Sequence, residues 1–340
     1  MSHPSLPSWE SRVTSSRPFT QRRRGRSIPC PHRITRLRFT GCGRWLTDNW
    51  TTIDTPMLPF HQIFHPTDFS VADQPAFAHA VKLTCLVQGE LTMMHVDPTI
   101  GRQGFEDFPR IRPLLARWGI LPEGSSKEDV LKLGVKIKRV RAVADDATEA
   151  LLQHITARPT DLLVLSTHQR EGLARLAHHA VAEPLARGTH AKTLFVPAGI
   201  EGFVSANTGR TNLSRVLIPI AHTPHPQPAI DLAADLANSL GSSDVLFELI
   251  HLGKEEDFPK LIKPERSGWS WNTLVAKGDP VEWILAAGAD FDVDLIVMMT
   301  EGHTSLFDLL RGSTTERVVR GTRCPLLTIP ARPDLPVLAP

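Results

Sequence analysis

The chain of 340 residues contains no tyrosine and only four cysteines. Without tyrosine, no phenol is available to act as an acid or as a ligand. The cysteines lie far apart, at Cys30, Cys42, Cys85 and Cys324, and no two of them form a C-x-x-C pair. This sparseness argues against a disulfide framework and against a zinc knuckle. It favours a reducing compartment, so we expect a cytoplasmic protein.

Long apolar runs are also missing from the sequence. No run approaches the roughly 18 to 20 residues needed to cross a bilayer, and the N-terminus has no continuous apolar stretch that would mark a secretory signal. We therefore expect no membrane segment. His222 and His225 share a proline-rich loop, but a zinc site needs further ligands that the sequence does not place, so we predict no metal site.

Motifs of common catalytic sites are absent as well. The chain contains no G-x-x-x-x-G-K-[ST] phosphate loop and no G-x-G-x-x-G turn after a strand. It also contains no G-x-S-x-G elbow and no H-E-x-x-H helix. These absences favour a binding module over an enzyme.

Positive charge is concentrated at the start of the chain. Residues 1–56 carry ten Arg, no Lys and three acids, whereas the remainder has 28 basic and 33 acidic residues. The folded part therefore gives no sign of a nucleic-acid surface. We predict that residues 1–56 form a disordered Arg-rich leader. Three interpretations stay open: upstream sequence translated from a misassigned start ahead of Met57, a targeting leader, and a functional arm.

From Gln62 onward, buried-type strands alternate with helical patterns, which predicts a parallel sheet flanked by helices. Residues 97–134 interrupt this alternation as an insertion that contains two short helical patterns. After a polar connector the alternation starts again. We therefore expect one domain at 57–198, a linker at 199–214 and a second domain at 215–333.

The second series of elements repeats the first. Residues 161–164, Asp-Leu-Leu-Val, match residues 294–297, Asp-Leu-Ile-Val, at an offset of 133 residues. Nearer the start of each series, Gln-Pro-Ala at 74–76 recurs at 227–229, an offset of 153 residues. The chain is therefore an internal duplication, and the difference between the two offsets locates the insertion in the first copy.

The C-terminal copy carries a pattern typical of a nucleotide loop. A buried strand ending near Met299 is followed by Gly302, nine further residues, and Gly312-Ser313 at the start of a helix. The pattern resembles universal stress proteins, although Met299 replaces the first glycine and Ala221 replaces the carboxylate that meets the adenine. The resemblance implies an α/β fold of two tandem Rossmann-like units, similar to adenine nucleotide alpha hydrolases, each a parallel five-stranded sheet flanked by helices.

By the same resemblance, the nucleotide contacts are Thr300, Gly302, Gly312, Ser313 and Thr314. Glycine permits close backbone approach, and the start of a helix presents unpaired N–H groups and the positive end of its dipole to a phosphate. Ser313 and Glu316 also have the spacing of a capping box, which would explain Ser313 without any ligand. Both interpretations stay open.

The first copy has kept the carboxylate and lost the loop glycines, the reverse of the second copy. It keeps the family's carboxylate after the first strand, at Asp68, but Ser166, Gln169 and His179 stand at the glycine positions and Ala180 at the hydroxyl position. Without those glycines the backbone cannot easily wrap a phosphate, so we predict that the first copy binds no nucleotide. Asp68 is then either a retained ligand or the residue of an Asx-turn that precedes the helix.

The resemblance thus implies a non-catalytic stress-response regulator that holds ATP or AMP, with Mg²⁺, in its second copy. The alternatives are a nucleotide-free scaffold for protein contacts and, less favoured, a weak ATPase. It also implies that the closing strands, 192–196 and 325–329, pair across a pseudo-twofold axis as an internal pseudo-dimer. Homodimerisation of the whole chain stays open, and we expect neither nucleic acid nor a membrane as a partner.

Overall fold

The computed structural model describes residues 58–98, 107–167, 185–186, 189, 191–301 and 314–331. The predicted leader at 1–56 lies outside these residues. The sequence pattern also predicts a helix at 173–186, and most of it lies outside them as well. Three of the predicted nucleotide contacts, Gly302, Gly312 and Ser313, also lie outside them.

The first half of the described chain consists of strands alternating with helices. In chain order its elements are β1 (Gln62–Pro66), α1 (Gln74–Val87), β2 (Glu90–Asp97), α2 (Ile111–Arg117), α3 (Lys127–Lys132), β3 (Lys136–Val143), α4 (Ala147–Ala157), β4 (Leu162–Thr167) and β5 (Lys192–Pro197). The two short helices α2 and α3 belong to the predicted insertion. α3 begins with a capping box between Ser126 and Asp129, which satisfies backbone donors at its first turn.

The second half repeats this alternation without the inserted helices. In chain order its elements are β6 (Arg215–Ile220), α5 (Gln227–Ser239), β7 (Val245–Leu252), β8 (Trp269–Ala276), α6 (Pro280–Asp290), β9 (Leu295–Thr300), α7 (Thr314–Gly321) and β10 (Leu326–Pro330). The predicted alternation of strands and helices is therefore confirmed in both halves.

The ten strands of the described residues form one sheet, in the order β3-β2-β1-β4-β5-β10-β9-β6-β7-β8. Each half contributes five parallel strands. At the centre β5 and β10 pair antiparallel, with Leu194 opposite Leu327 and Thr193 opposite Thr328. The predicted fold class and the predicted pairing of the closing strands are confirmed.

Helices cover both faces of the sheet. One core contains residues of α1 and α5 packed on the sheet, together with Phe108 and Leu115 from the insertion. The other core contains residues of α4, α6 and α7. Inner strands such as β4 and β9 are therefore buried on both sides, which explains their nearly continuous runs of apolar residues. The edge strands β3 and β8 are more exposed and more polar.

Matched aspartates explain part of the sequence repeat. Asp161 accepts hydrogen bonds from the His61 and Gln62 N–H groups at 2.8 Å, at the start of β1. Asp294 accepts from the Ser214 and Arg215 N–H groups at 2.7 and 2.9 Å, at the start of β6. Each aspartate therefore ties the beginning of the fourth strand of its half to the beginning of the first.

Two regions differ from the sequence-based expectation. The hydrophobic pattern of the sequence predicts that the third strand of the second half begins at Thr273, but β8 begins four residues earlier, at Trp269. Trp271 stacks on Phe247 of β7 with ring centroids 4.1 Å apart, which holds this early part of the strand against the sheet. The connector between the halves is polar in sequence but packed in the structure. Its Phe203 is buried in the core that contains α1 and α5, edge-on to His79 with ring centroids 4.4 Å apart, so the connector is an ordered part of the fold.

Candidate functional site

A cleft of about 610 Å³ opens at the carboxyl ends of the strands in the second half, and Ala186, Thr189 and Phe195 of the first half complete its lining. β6 lies between β9 and β7 in the sheet. The chain leaves β6 toward β7 and leaves β9 toward β10, so the connections of these two neighbouring strands run in opposite directions. Such a switch point is where open α/β sheets bind ligands. The lining of the cleft includes Ala221, His251, Met299, Thr300, Glu301 and Thr314.

Two of the predicted nucleotide contacts lie together in this cleft. Thr300 ends β9, and Thr314 is the first described residue of α7. The position of Ala221, where the resemblance expects a carboxylate, also lines the cleft and is exposed. The structure thus brings Thr300, Thr314 and Ala221 to one site. The assignments of Gly302, Gly312 and Ser313 stay predictions.

Two acidic side chains line the same cleft, Glu301 and Glu316. Glu316 is buried and forms an ion pair with Arg320, with Oε1 and Nη2 2.5 Å apart. This pair neutralises one of the two charges that would otherwise repel a phosphate. The capping role predicted for Glu316 involves Ser313, which lies outside the described residues.

The most unusual group in the cleft is the imidazole of His251. The residue is only 4% exposed, and its Nδ1 lies 3.0 Å from the carbonyl oxygen of Ile220. A carbonyl only accepts hydrogen bonds, so Nδ1 carries the proton and, in the neutral ring, Nε2 is an acceptor. That Nε2 is buried and has no hydrogen-bond partner among the described residues. A buried polar atom without a partner costs stability unless a ligand or water satisfies it.

The equivalent histidine of the first half, His95, has both of its nitrogens engaged. Its Nδ1 lies 2.6 Å from the carbonyl oxygen of Thr67, and its Nε2 lies 3.0 Å from Oδ1 of Asp97. Arg141 donates to the other oxygen of Asp97 through Nε at 2.6 Å. Burial alone would raise the pKa of Asp97, but the hydrogen bonds from Arg141 and His95 outweigh it and hold that pKa below its usual range.

The second half has lost both partners of that network. Gly253 stands where Asp97 stands in the first half, and a Cβ atom at Gly253 would lie only 2.8 Å from His251 Nε2. In the strand register, Arg141 pairs with His95 and Val275 pairs with His251. Carboxylate and guanidinium are therefore replaced by a glycine and an aliphatic side chain, which leaves Nε2 without its protein partner.

Aromatic side chains occupy the corresponding region of the first half. Phe69 stacks on His95 with ring centroids 4.0 Å apart, and Phe108 from the insertion packs edge-on against Phe69 at 5.1 Å. In the second half, His222 takes the place of Phe69 and lies farther from the central histidine, at 6.2 Å. The insertion thus supplies part of the filling of the first site.

Asp68 is exposed and forms the predicted Asx-turn. Its Oδ1 accepts a hydrogen bond from the Ser70 N–H at 2.9 Å. The turn precedes α1 and coincides with a left-handed backbone at Phe69, whose φ is 62°. The Asx-turn interpretation is confirmed, while a ligand role for Asp68 stays a prediction.

His251 and Gly253 were missed by the sequence analysis. A single histidine in an apolar strand is typical of a core residue, so the pattern gave no reason to select it. The internal repeat contains the signal, because Met-His-Val-Asp at 94–97 aligns with Ile-His-Leu-Gly at 250–253. Only the strand register shows that the substituted aspartate was the histidine's partner.

Within the described part of the chain, no group of three or more His, Cys, Asp or Glu side chains is arranged to hold a metal ion. Nor does that part contain a helix both long enough and apolar enough to cross a membrane.

Comparisons with known proteins agree on one family. A family model described as "Universal stress protein family" matches residues 59–197 and 248–330, more than half of the chain. A universal stress protein of Methanocaldococcus jannaschii is 34% identical over 93 residues, which cover 26% of this chain and 53% of the relative. One from a Synechocystis strain is 30% identical over 101 residues, 27% of this chain and 35% of the relative. The chain thus spans about half or less of the length of these curated relatives.

Solved structures agree on the fold. A universal stress protein from Archaeoglobus fulgidus superposes with a TM-score of 0.52 at 16% identity, covering 82% of this chain and all of that one. A protein from Pseudomonas aeruginosa described as a putative universal stress protein superposes with a TM-score of 0.53 at 12% identity, covering 81% and 94% of the two chains. These matches extend over both halves of the sheet.

Proposed function

The chain belongs to the universal stress protein family, and from that premise we propose that it is a regulatory module that binds one adenine nucleotide in the cleft of its second half. The observation that carries the proposal is the buried Nε2 of His251, which lines that cleft and has no hydrogen-bond partner among the described residues. A ligand with a hydrogen-bond donor would satisfy this atom. The exocyclic amino group of adenine is such a donor.

The positions of the polar groups also suit a nucleotide. His251 lies on β7 and Thr300 on β9, with β6 between them. Neighbouring strands are about 4.8 Å apart, so these two places are separated by roughly 10 Å. This is the scale of a nucleoside measured from its base to its 5′ phosphate. We therefore place the base near His251 and the phosphate near Thr300 and Thr314.

The proposed contacts to the phosphate of the nucleotide are the loop residues identified from the sequence. We propose that Gly302 and Gly312 allow the backbone to approach the phosphate and that Ser313 and Thr314 donate to it at the start of α7. Glu301 would oppose a highly charged ligand by about 1 kcal/mol at 4 Å in water, and by more if partly buried. Bound Mg²⁺ would offset this for ATP, and AMP would need less compensation.

We propose a conformational activity without catalysis, in a cytoplasmic protein. The two cysteines in the described residues, Cys85 and Cys324, are free thiols, in keeping with a reducing compartment. Burial raises the pKa of each thiol to about 11, so neither serves as a nucleophile at neutral pH.

A nucleotide-free scaffold is the second candidate. It is favoured by Ala221, which lacks the carboxylate expected at the base, by Met299, which replaces the first loop glycine, and by the acids that line the cleft. On this account the unpartnered Nε2 of His251 would be satisfied by water, and the two halves would serve protein contacts.

A calorimetric titration of the full chain with AMP, and then with ATP and Mg²⁺, separates these candidates. We expect one AMP site per chain. Absence of heat at millimolar nucleotide, with the protein folded and free of co-purified nucleotide, would support the scaffold. Release of phosphate from ATP that Gly312→Val abolishes would instead support the weak ATPase.

A further inference from the structure

A second cleft, of about 620 Å³, lies at the edge of the sheet in the first half. It is formed by the insertion, from Arg110 to Ser125, and by the edge strand β3. Four arginines line it, and the lining contains a single acid, Glu123. The four are Arg110, Arg112, Arg117 and Arg139. Nothing in the family resemblance or in the nucleotide cleft assigns a role to this place.

Within the described part of the chain, no acidic side chain neutralises the charges of these arginines. None of the four forms an ion pair with an acidic side chain among the described residues. Two other cations of β3 are paired, since Lys138 pairs with Glu90 at 2.6 Å and Arg141 with Asp97 at 2.5 Å. The acids near this strand therefore neutralise those two cations and not Arg139.

The guanidinium groups are also close enough to repel one another. Partial burial, followed by the charges of Arg112 and Arg110, lowers the pKa of Arg139. Arg112 is held in place by a hydrogen bond from Nη1 to the carbonyl oxygen of Ser125 at 3.0 Å. The cleft thus concentrates positive charge, and at least one of its side chains is held in a fixed orientation. A bound anion would reduce the repulsion between the guanidinium groups.

We propose that this cleft binds a small oligophosphate, a ligand with two or more phosphate groups. Guanidinium donates paired hydrogen bonds that match phosphate oxygens, and several arginines in one concave site fit several phosphates better than one carboxylate. The volume lies in the range of small-ligand sites. The site is separate from the nucleotide cleft, which lies in the second half, and does not depend on it.

The test is a calorimetric titration of the full chain with inorganic tripolyphosphate at low and moderate salt. We expect one site per chain that weakens with salt. In the double variant Arg112→Gln/Arg139→Gln the affinity should fall at least tenfold, whereas Arg112→Lys/Arg139→Lys should retain part of it. Arg266→Gln is the matched control, because Arg266 lies near the opposite edge of the sheet, over the ring of Trp269.

Further titrations identify the chemical form in which the phosphates are bound, and they test whether tripolyphosphate binds in the nucleotide cleft instead. Tripolyphosphate binding should persist in Gly312→Val. A second ATP site that the double variant removes would identify a nucleotide tail as the source, and its absence would identify free oligophosphate; both support the proposal. The proposal is overturned if tripolyphosphate gives no heat, if the double variant binds it normally, or if only a DNA oligonucleotide binds through these arginines.

Discussion

His251 and His95 occupy equivalent places in the two halves of the sheet, and each bonds through Nδ1 to the carbonyl at the end of the first strand of its half. They differ at Nε2. In the first half Asp97 engages that atom, and in the second half Gly253 stands in its place, so that Nε2 has no partner among the described residues. The duplicated framework therefore holds one histidine with both nitrogens engaged and one with a buried nitrogen for which these residues supply no partner.

The first prediction concerns Nε2 of His251. In His251→Asn the side-chain amide can still donate to the Ile220 carbonyl, but nothing remains at the position of Nε2. Loss of one hydrogen bond of about 1 kcal/mol should reduce AMP affinity roughly fivefold. Calorimetry measures the affinity, and a denaturant midpoint close to wild type shows that the fold is retained. Unchanged affinity would remove His251 from the site.

The second prediction is a gain of affinity. Ala221 is exposed at the cleft, and the family resemblance expects a carboxylate at this position. Ala221→Asp should therefore tighten AMP binding, by roughly tenfold if the carboxylate accepts from the base. Ala221→Asn has nearly the same size without the charge and should give a smaller gain. Weaker binding in the Asp variant would mean that the base lies elsewhere.

The third prediction concerns the loop. Gly312→Val should abolish nucleotide binding, because a branched side chain prevents the close backbone approach that a phosphate requires. Circular dichroism and the thermal midpoint should change little. Ser313→Ala provides the comparison, since loss of a helix cap would lower stability by about 1 kcal/mol whether or not a ligand binds. Normal binding by Gly312→Val would contradict the phosphate assignment.

The fourth prediction is a pH dependence of stability that originates at His79. Its Nδ1 donates to the Pro75 carbonyl at 2.7 Å, and its Nε2 accepts from the Val204 N–H at 3.3 Å, so the folded state needs the neutral ring. Burial lowers the pKa of His79 to about 4, against a smaller opposing effect of the Pro75 carbonyl.

The unfolded chain protonates this group near pH 6.5, so folding stability should fall as the pH drops from about 6.5 to about 4. The loss attributable to His79 should reach roughly 3 kcal/mol at the lower end. Denaturant unfolding of wild type and His79→Gln at pH 7 and pH 5 isolates this contribution. We expect a smaller pH dependence in the variant, and equal slopes would refute the assignment.

The sequence was sufficient for the fold because the duplication supplied two independent copies of each signal. The Asp-Leu-Leu-Val and Asp-Leu-Ile-Val matches identify the fourth strand of each half, and their aspartates perform the same task in both. The start of β8 was misplaced because Trp269 follows a polar segment. Its strand character comes from packing on Phe247, at 5.2 Å between centroids, which sequence periodicity does not encode.

The loop pattern of the sequence identified Thr300 and Thr314, and the structure places both at the cleft. Their role as nucleotide contacts stays a prediction. The switch point was not identified from the sequence, because it depends on the strand order. His251 could not be selected in the same way, because its importance comes from the Ile220 carbonyl on the neighbouring strand and from a side chain missing at Gly253. Both are relationships across the sheet. The filling of the first site by Phe108 likewise depends on how the insertion folds back.

Photolabelling of the full chain with 8-azido-AMP, followed by peptide mapping, tests the central claim that the second half alone binds the base. Label protected by excess AMP should appear in peptides from residues 215–301 or 314–331, at about one label per chain or less. His251→Asn should reduce it. Protected label in residues 58–167 would place the base in the first half and contradict the account.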